Sequence, residues 1–325
     1  MLRPFSKRAR IKTRDYSQPL QRRITDYGAD VPFGKIPAKL KEHYGIEVPV
    51  SSARVITEKH AARVLQSECL RDEIPEGGAS QTIIAEVDGT LIPIRLQSAE
   101  GAEKKRECKY KEARLSLAHV KGATEPVFGA TLGEPEEAGK HMLNCAVSVG
   151  LNQNSTAHCV GDGAPWIADQ VGLIFGTQGS FLIDFYHLCE YLGAAASSCA
   201  SGDPSAWVEQ QQQRLKRNQT SDVIDALEPH LEASSVPDEK APVRKCYRYL
   251  VNRPGQFDYK TAIESDLPIG SGEIESAHRY VIQERLKKAG AWWNPDQASN
   301  MLALRTLRAN RGWDDYWEQA KLKAA

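Results

Sequence analysis

The stretch GGASQ at residues 77–81 constrains this chain most, because the pattern of apolar residues changes across it from helical to strand-like. Beyond it TIIAEVDGTLIPI (82–94), ARLSLAHV (113–120) and PVFGATLG (126–133) are rich in β-branched residues and bounded by turn or charged residues, which predicts three strands in succession. EEAGKHMLNCAVSVGLN (136–152) returns to helical spacing through Met142, Ala146 and Val149. HCVGDG (158–163) and GSFLIDFYHL (179–188) then predict two further strands. Three strands, helix, strand, helix, strand is the order of a mixed α/β layer fold. From 187 to 264 the strand signal vanishes and Ala, Gln, Glu, Leu, Lys and Arg dominate between loop breaks, as expected of a helical insertion. The chain therefore divides into 1–76, a first part of the layer domain at 77–186, the insertion at 187–264, and a last part with C-terminal helices at 265–325.

Charge is balanced in total and segregated in position. With 42 basic and 42 acidic residues the chain is not a uniformly basic DNA-coating protein. Yet Arg3, Lys7, Arg8, Arg10, Lys12, Arg14, Arg22 and Arg23 stand against the single acid Asp15, and a second basic concentration runs from Arg279 to Arg311. Such segregation suits a nucleic-acid groove, and a solvated tail accounts for the N-terminal arm equally well. Next to the arm, 33–61 reads as helix, turn, helix: Ile36, Leu40 and Tyr44 at helical spacing, a break at Gly45, Ser51 or Ser52 as cap, and Val55 and Ile56 on a buried side. This is the pattern of a helix-turn-helix, and of any helical hairpin. The seven cysteines include no CxxC pair, so neither a disulfide framework nor a zinc ribbon is supported. No secretory pattern opens the chain and no apolar run is long enough for a bilayer, so a cytoplasmic protein is expected.

Two aspartates stand where chemistry is commonly placed. Asp88 in EVDGT lies near the end of the first predicted strand and Asp162 in VGDGAPW at the end of another, each with Gly behind, which suits projection into a cleft and also suits a plain Asp-Gly turn. If the strands are neighbours, both carboxylates emerge on one edge. LPIGSGEIESAHRYVIQERLKKAGAWW (267–293) can add a third, since a Gly-Ser-Gly elbow there leads into a helix carrying Glu273 and Glu275, followed by Arg279, Arg285, Lys287 and Lys288. Three crowded carboxylates repel unless cations neutralise them. Two divalent ions about 3.5–4 Å apart would do so, and would activate a water or a 3′-hydroxyl for in-line phosphoryl displacement. The alternative for the helix is dipole-favoured glutamates and a solvated basic face. Trp292 and Trp293 suit core packing, and also stacking on an unpaired base.

The motifs DGT (88–90), GDGAPWI (161–167), IDFYHLCEYL (183–192) and the 267–293 run, in this order, resemble the transposases of the ISKra-four family of bacterial insertion sequences. The resemblance spans most of the chain, from about 33 to 317. It implies a DDE recombinase with an RNase H-like fold and a helical insertion before the final Glu, preceded by the helix-turn-helix-like region. Magnesium or manganese, two ions, would serve cleavage of element ends and their joining to target DNA. Carried over by motif, Asp88 and Asp162 are the two aspartates and Glu275 the glutamate, with Glu273 the competing assignment. Asp184 and His187 match a supporting Asp-x-x-His signature, and also suit a capped helix start. Arg279, Arg285, Lys287 and Lys288 are the expected DNA contacts. DNA is the expected partner, with a dimer or larger assembly on it, in a bacterial nucleoid. A transposase without catalysis, acting only by binding DNA, is the competing expectation.

Overall fold

A computed structural model describes residues 16–97 and 106–322. Arg3, Lys7, Arg8, Arg10, Lys12 and Arg14 of the basic arm lie outside the described residues. One sheet holds β1 (Thr82–Gln97), β2 (Arg106–Val120), β3 (Val127–Thr131), β4 (Thr156–Gly161) and β5 (Gly179–Ile183), in the order β3-β2-β1-β4-β5. β1, β2 and β3 pair antiparallel, whereas β4 runs parallel to β1 and β5 parallel to β4. This mixed order is that of an RNase H-like layer.

Because side chains alternate across a strand, the odd and even positions of β1 face different partners. Ile83, Ala85 and Val87 join Ala157 and Cys159 beneath Met142, Cys145 and Val171 of α4 (Pro135–Ser148) and α5 (Pro165–Phe175). On the opposite face Ile92, Ile94, Leu115 and Leu117 pack against Ile274, Val281, Leu286 and Met301. Each such fully buried aliphatic side chain stabilises the fold by about 1.5–3 kcal/mol.

Three elements differ from expectation for identifiable reasons. β2 begins at Arg106, not 113, because its charged first half is carried by backbone pairing out to Gln97↔Arg106 rather than by burial. The strand expected over 179–188 stops at Ile183, where Asp184 caps α6 (Phe185–Cys199) by accepting the N–H groups of Tyr186 and His187. The helix expected after the Gly-Ser-Gly elbow is α11 (Gly272–Ala277), a wider π-helical segment His278–Gln283, and one last turn Glu284–Leu286. Widening frees carbonyls, and the guanidinium of Arg305 on α12 (Pro295–Ala309) donates to those of Tyr280 and Val281.

Between α6 and α11 the chain is helical: α7 (Pro204–Lys216), α8 (Thr220–Leu227), α9 (Pro242–Val251) and α10 (Tyr259–Glu264). Their core of Leu215, Val223, Cys246, Leu250 and Tyr259 is continuous with Leu182 and Ile183 of β5. At the N-terminal end α1 (Gln18–Asp30), α2 (Ile36–Tyr44) and α3 (Val50–Ser67) form a small core of Ile24, Ile36, Leu40 and Ile56. Gly45 ends α2, but α3 starts from Pro49, so Ser51 and Ser52 sit inside its first turn instead of capping it. Ile56 is buried, whereas Val55 points to solvent. α13 (Trp313–Leu322) closes on this region through Tyr316 and His60, whose oxygen and Nδ1 are 2.7 Å apart. No helix among the described residues is long and apolar enough to cross a membrane.

Candidate active site

The sheet register places the aspartates. β1 and β4 pair as far as Glu86↔Val160, and two residues onward Asp88 and Asp162 occupy the same row. β4 and β5 pair as far as Gly161↔Ile183, which sets Asp184 next in that row. Asp162 and Asp184 therefore follow the C-terminal ends of β4 and β5, the edge at which open α/β sheets form clefts, whereas Asp88, expected near the end of its strand, lies inside β1, which continues to Gln97 because β2 pairs with it throughout.

Each carboxylate has a different surrounding. Asp88 accepts the N–H of Gly89 at 2.7 Å through Oδ1, and its Oδ2 lies 3.3 Å from Nε2 of the buried His278. Its side chain is 32% exposed, enough to meet a ligand from solvent. Asp162 accepts the N–H of Ala164 at 2.9 Å through Oδ1. Asp184 is consumed: Oδ1 takes the N–H groups of Tyr186 (2.6 Å) and His187 (2.9 Å), and Oδ2 takes the N–H and hydroxyl of Ser271, both at 2.6 Å. It ties the start of α6 to the start of α11. The elbow before α11 needs glycine at 270, since a Cβ there would lie 2.7 Å from the Tyr186 ring.

α11 lies over β1. Its Ile274 N–H donates to Glu86 at 2.8 Å, and Glu86 is 2% exposed. Burial pushes this carboxyl up to about 8, against the lowering effect of the Ile274 hydrogen bond and with Glu273 and Asp184 adding to the rise. Glu273 turns to His119, 3.2 Å away. Glu275 is exposed, one helical turn before the His278 that faces Asp88. Among the described residues no three His, Cys, Asp or Glu side chains converge as a group able to hold a metal ion. In donor chemistry and in register Asp88 and Asp162 fit a hard divalent cation, which takes carboxylate oxygen; Glu275 is not gathered to them.

The expected basic contacts separate. Arg279 and Lys287 are exposed and Lys288 is partly so, with Lys287 Nζ 3.2 Å from the Thr90 hydroxyl beside the site. Arg285 is corrected: it is 3% exposed, donates to the Gly28 carbonyl at 2.9 Å, and lies over the rings of Phe33 and Trp293 at 4.8 and 4.7 Å. Burial, with Arg305 nearby, lowers it to about 10. It is an internal cross-link between the N-terminal helices and the end of the α11 segment, not a surface cation. Trp293 is likewise internal, its indole N–H bonded to the Leu286 carbonyl at 3.0 Å, whereas Trp292 is 44% exposed with its ring 6.2 Å from that of Tyr110. His187 lies at the insertion, its ring 5.5 Å from Tyr191 and 6.1 Å from Tyr249.

Sequence reasoning passed over Glu86 and His278. Glu86 had a signal, being the one charged residue in the apolar run TIIAEV and two positions from Asp88. So had His278, three positions after Glu275 in the same motif.

A family model for an uncharacterised protein family, UPF0236, matches residues 151–320. No curated protein matches by sequence. Among solved structures, the Drosophila P element transposase strand transfer complex is similar with a TM-score of 0.33 and 10% identity, over 94% of this chain and 81% of that one. The family match covers more than half of the sequence and takes in Asp162, the insertion, α11 and α12: the chain belongs to the uncharacterised protein family UPF0236.

Proposed function

We propose that this protein is a DDE transposase of a bacterial insertion sequence, of the ISKra-four type, cutting DNA at element ends and joining them to target DNA. The observation that carries the reading is the single register row of Asp88 and Asp162 beneath a helix that bears Glu275. Asp88 and Asp162 would hold magnesium or manganese, with Glu275 rather than the His119-engaged Glu273 as third ligand. When bound, the metal supplies Lewis-acid stabilisation of the phosphoryl oxygens and a nucleophile at neutral pH.

The chain's own residues do the positioning. His278 faces the carboxylate oxygen of Asp88 not taken by Gly89, and so limits where that oxygen points. Exposed Arg279 and Lys287 meet backbone phosphates approaching along α11, and such contacts make binding fall with salt. Assembly as a dimer or larger on two ends follows from the need to synapse them.

The test is strand cleavage of a labelled duplex carrying the element's own end, in Mg²⁺ and in Mn²⁺. Metal-dependent cutting by the unaltered chain, lost in Asp88→Asn, Asp162→Asn and Glu275→Gln but retained in Glu273→Gln, is the expected result. Cutting that survives Asp88→Asn refutes it; end-binding without cutting in either metal supports a DNA-binding protein instead.

A further inference from the structure

Asp162 is held from a part of the chain that its own motif does not include. Tyr249, on α9 of the helical region, donates its hydroxyl to the Asp162 carbonyl at 2.6 Å. Arg253, just past α9, donates Nε to the next carbonyl, Gly163, at 2.7 Å. The two donors support each other. Arg253 also donates to the Tyr249 carbonyl at 3.1 Å, and its guanidinium sits 4.1 Å from the centre of the Tyr249 ring, which stacks on Tyr191 at 4.4 Å.

Gly163 adopts φ +80°, and a Cβ there would lie 2.5 Å from the Tyr249 oxygen. The backbone at 162–163 thus presses against the phenol with no side chain between. Two consecutive carbonyls fixed from one side leave the Asp162 peptide little freedom to rotate. The carboxylate, its Oδ1 fixed to Ala164 N–H, inherits that orientation.

We infer that Tyr249 and Arg253 are positioning residues for Asp162, through which the helical insertion sets the affinity of the site for its divalent ion. The inference rests on the reading of Asp162 as a metal ligand. It assigns the insertion a task at the reacting centre, some 87 residues along the chain from the aspartate it holds.

The experiment is a Mn²⁺ titration of the full chain without DNA, reading free Mn²⁺ by electron paramagnetic resonance, alongside metal-free thermal melting. Tyr249→Phe keeps the ring stack and removes one hydrogen bond, so Mn²⁺ affinity falls about three- to tenfold, the range expected for one lost neutral hydrogen bond. Arg253→Ala lowers affinity at least as much, and Arg253→Lys, retaining a donor, recovers part of it. Asp162→Asn abolishes the same binding. If Asp162→Asn weakens Mn²⁺ binding while Tyr249→Phe and Arg253→Ala, melting as the unaltered chain does, leave it unchanged, the positioning role is overturned and the metal site stands. Binding indifferent to Asp162→Asn overturns the metal reading, and the inference with it. Loss of affinity in Tyr249→Phe only in proportion to a lowered melting point, with no recovery in Arg253→Lys, identifies a purely structural contact and overturns the inference too.

Discussion

Glu86 gives the sharpest quantitative prediction. Its carboxyl is buried under α11 and pushed from an ordinary 4.5 to about 8, so the folded chain binds a proton there that the unfolded chain releases. Between those values the folded state holds more protons than the unfolded state, and stability falls as pH rises. This group's destabilisation is absent below about pH 4.5 and complete above about pH 8, where the interval corresponds to about 5 kcal/mol. Across pH 6 to 8 alone the fall is about 2 kcal/mol, or about 3 °C in melting temperature for a chain of this size. Glu86→Gln preserves the shape and can still accept the Ile274 N–H, but cannot ionise. The variant should therefore melt close to the unaltered chain at pH 6 and about 3 °C above it at pH 8, in metal-free buffer with chelator. Differential scanning calorimetry at half-unit pH intervals reads the difference directly. Parallel pH profiles for the two proteins would refute the reasoning, because they would mean that Glu86 ionises without penalty and is hydrated.

Other substitutions separate structure from contact. Arg285→Lys should lower stability by about 1–3 kcal/mol, since an ammonium cannot span the Gly28 carbonyl and the two rings, and should leave the salt dependence of DNA binding unchanged. Arg279→Ala and Lys287→Ala should behave oppositely, each reducing the slope of log affinity against log salt by about 1 with little effect on melting. Asp184→Asn should cost about 2 kcal/mol, because an amide that still caps α6 presents a donor where Ser271 N–H needs an acceptor. Denaturant titration measures that cost, and the cleavage assay should show a larger loss than the unfolded fraction explains.

What the sequence disclosed and what it withheld follow from the range of the interactions concerned. Apolar runs bounded by turn or charged residues found all five strands, and Gly163 after Asp162 lies just past the end of β4, whereas β1 runs on through Gly89 to Gln97, paired with β2. The first half of β2 escaped because its support is backbone pairing with β1, which leaves no apolar pattern in RECKYKE. The burial of Arg285 escaped for the opposite reason. A guanidinium among basic neighbours reads as surface, and only the approach of Gly28, Phe33 and Trp293 from distant parts of the chain makes it internal. Asp184 left two readings open, and the geometry shows how both draw on one side chain: the helix cap takes one oxygen and the tether to Ser271 takes the other. Tyr249 and Arg253 carried no local signal at all.

Four carboxyl groups, those of Glu86, Asp88, Asp162 and Asp184, lie at neighbouring positions along β1 and just beyond β4 and β5, and like charges near one another disfavour ionisation. The structure removes two of them from the problem by different means. Glu86 is buried deeply enough to remain protonated near neutral pH, so it carries no charge beneath α11. Asp184 is charge-assisted on both oxygens by three backbone N–H groups and a hydroxyl, which disperses its charge into the starts of two helices. That leaves Asp88 and Asp162 each with one oxygen engaged by a neighbouring backbone N–H. Under the proposed function a cation would meet the two oriented carboxylates of Asp88 and Asp162, and Glu275, which is not gathered to them, would have to be brought in. The uncharged Glu86 and the hydrogen-bonded Asp184 thus add little charge repulsion to Asp88 and Asp162.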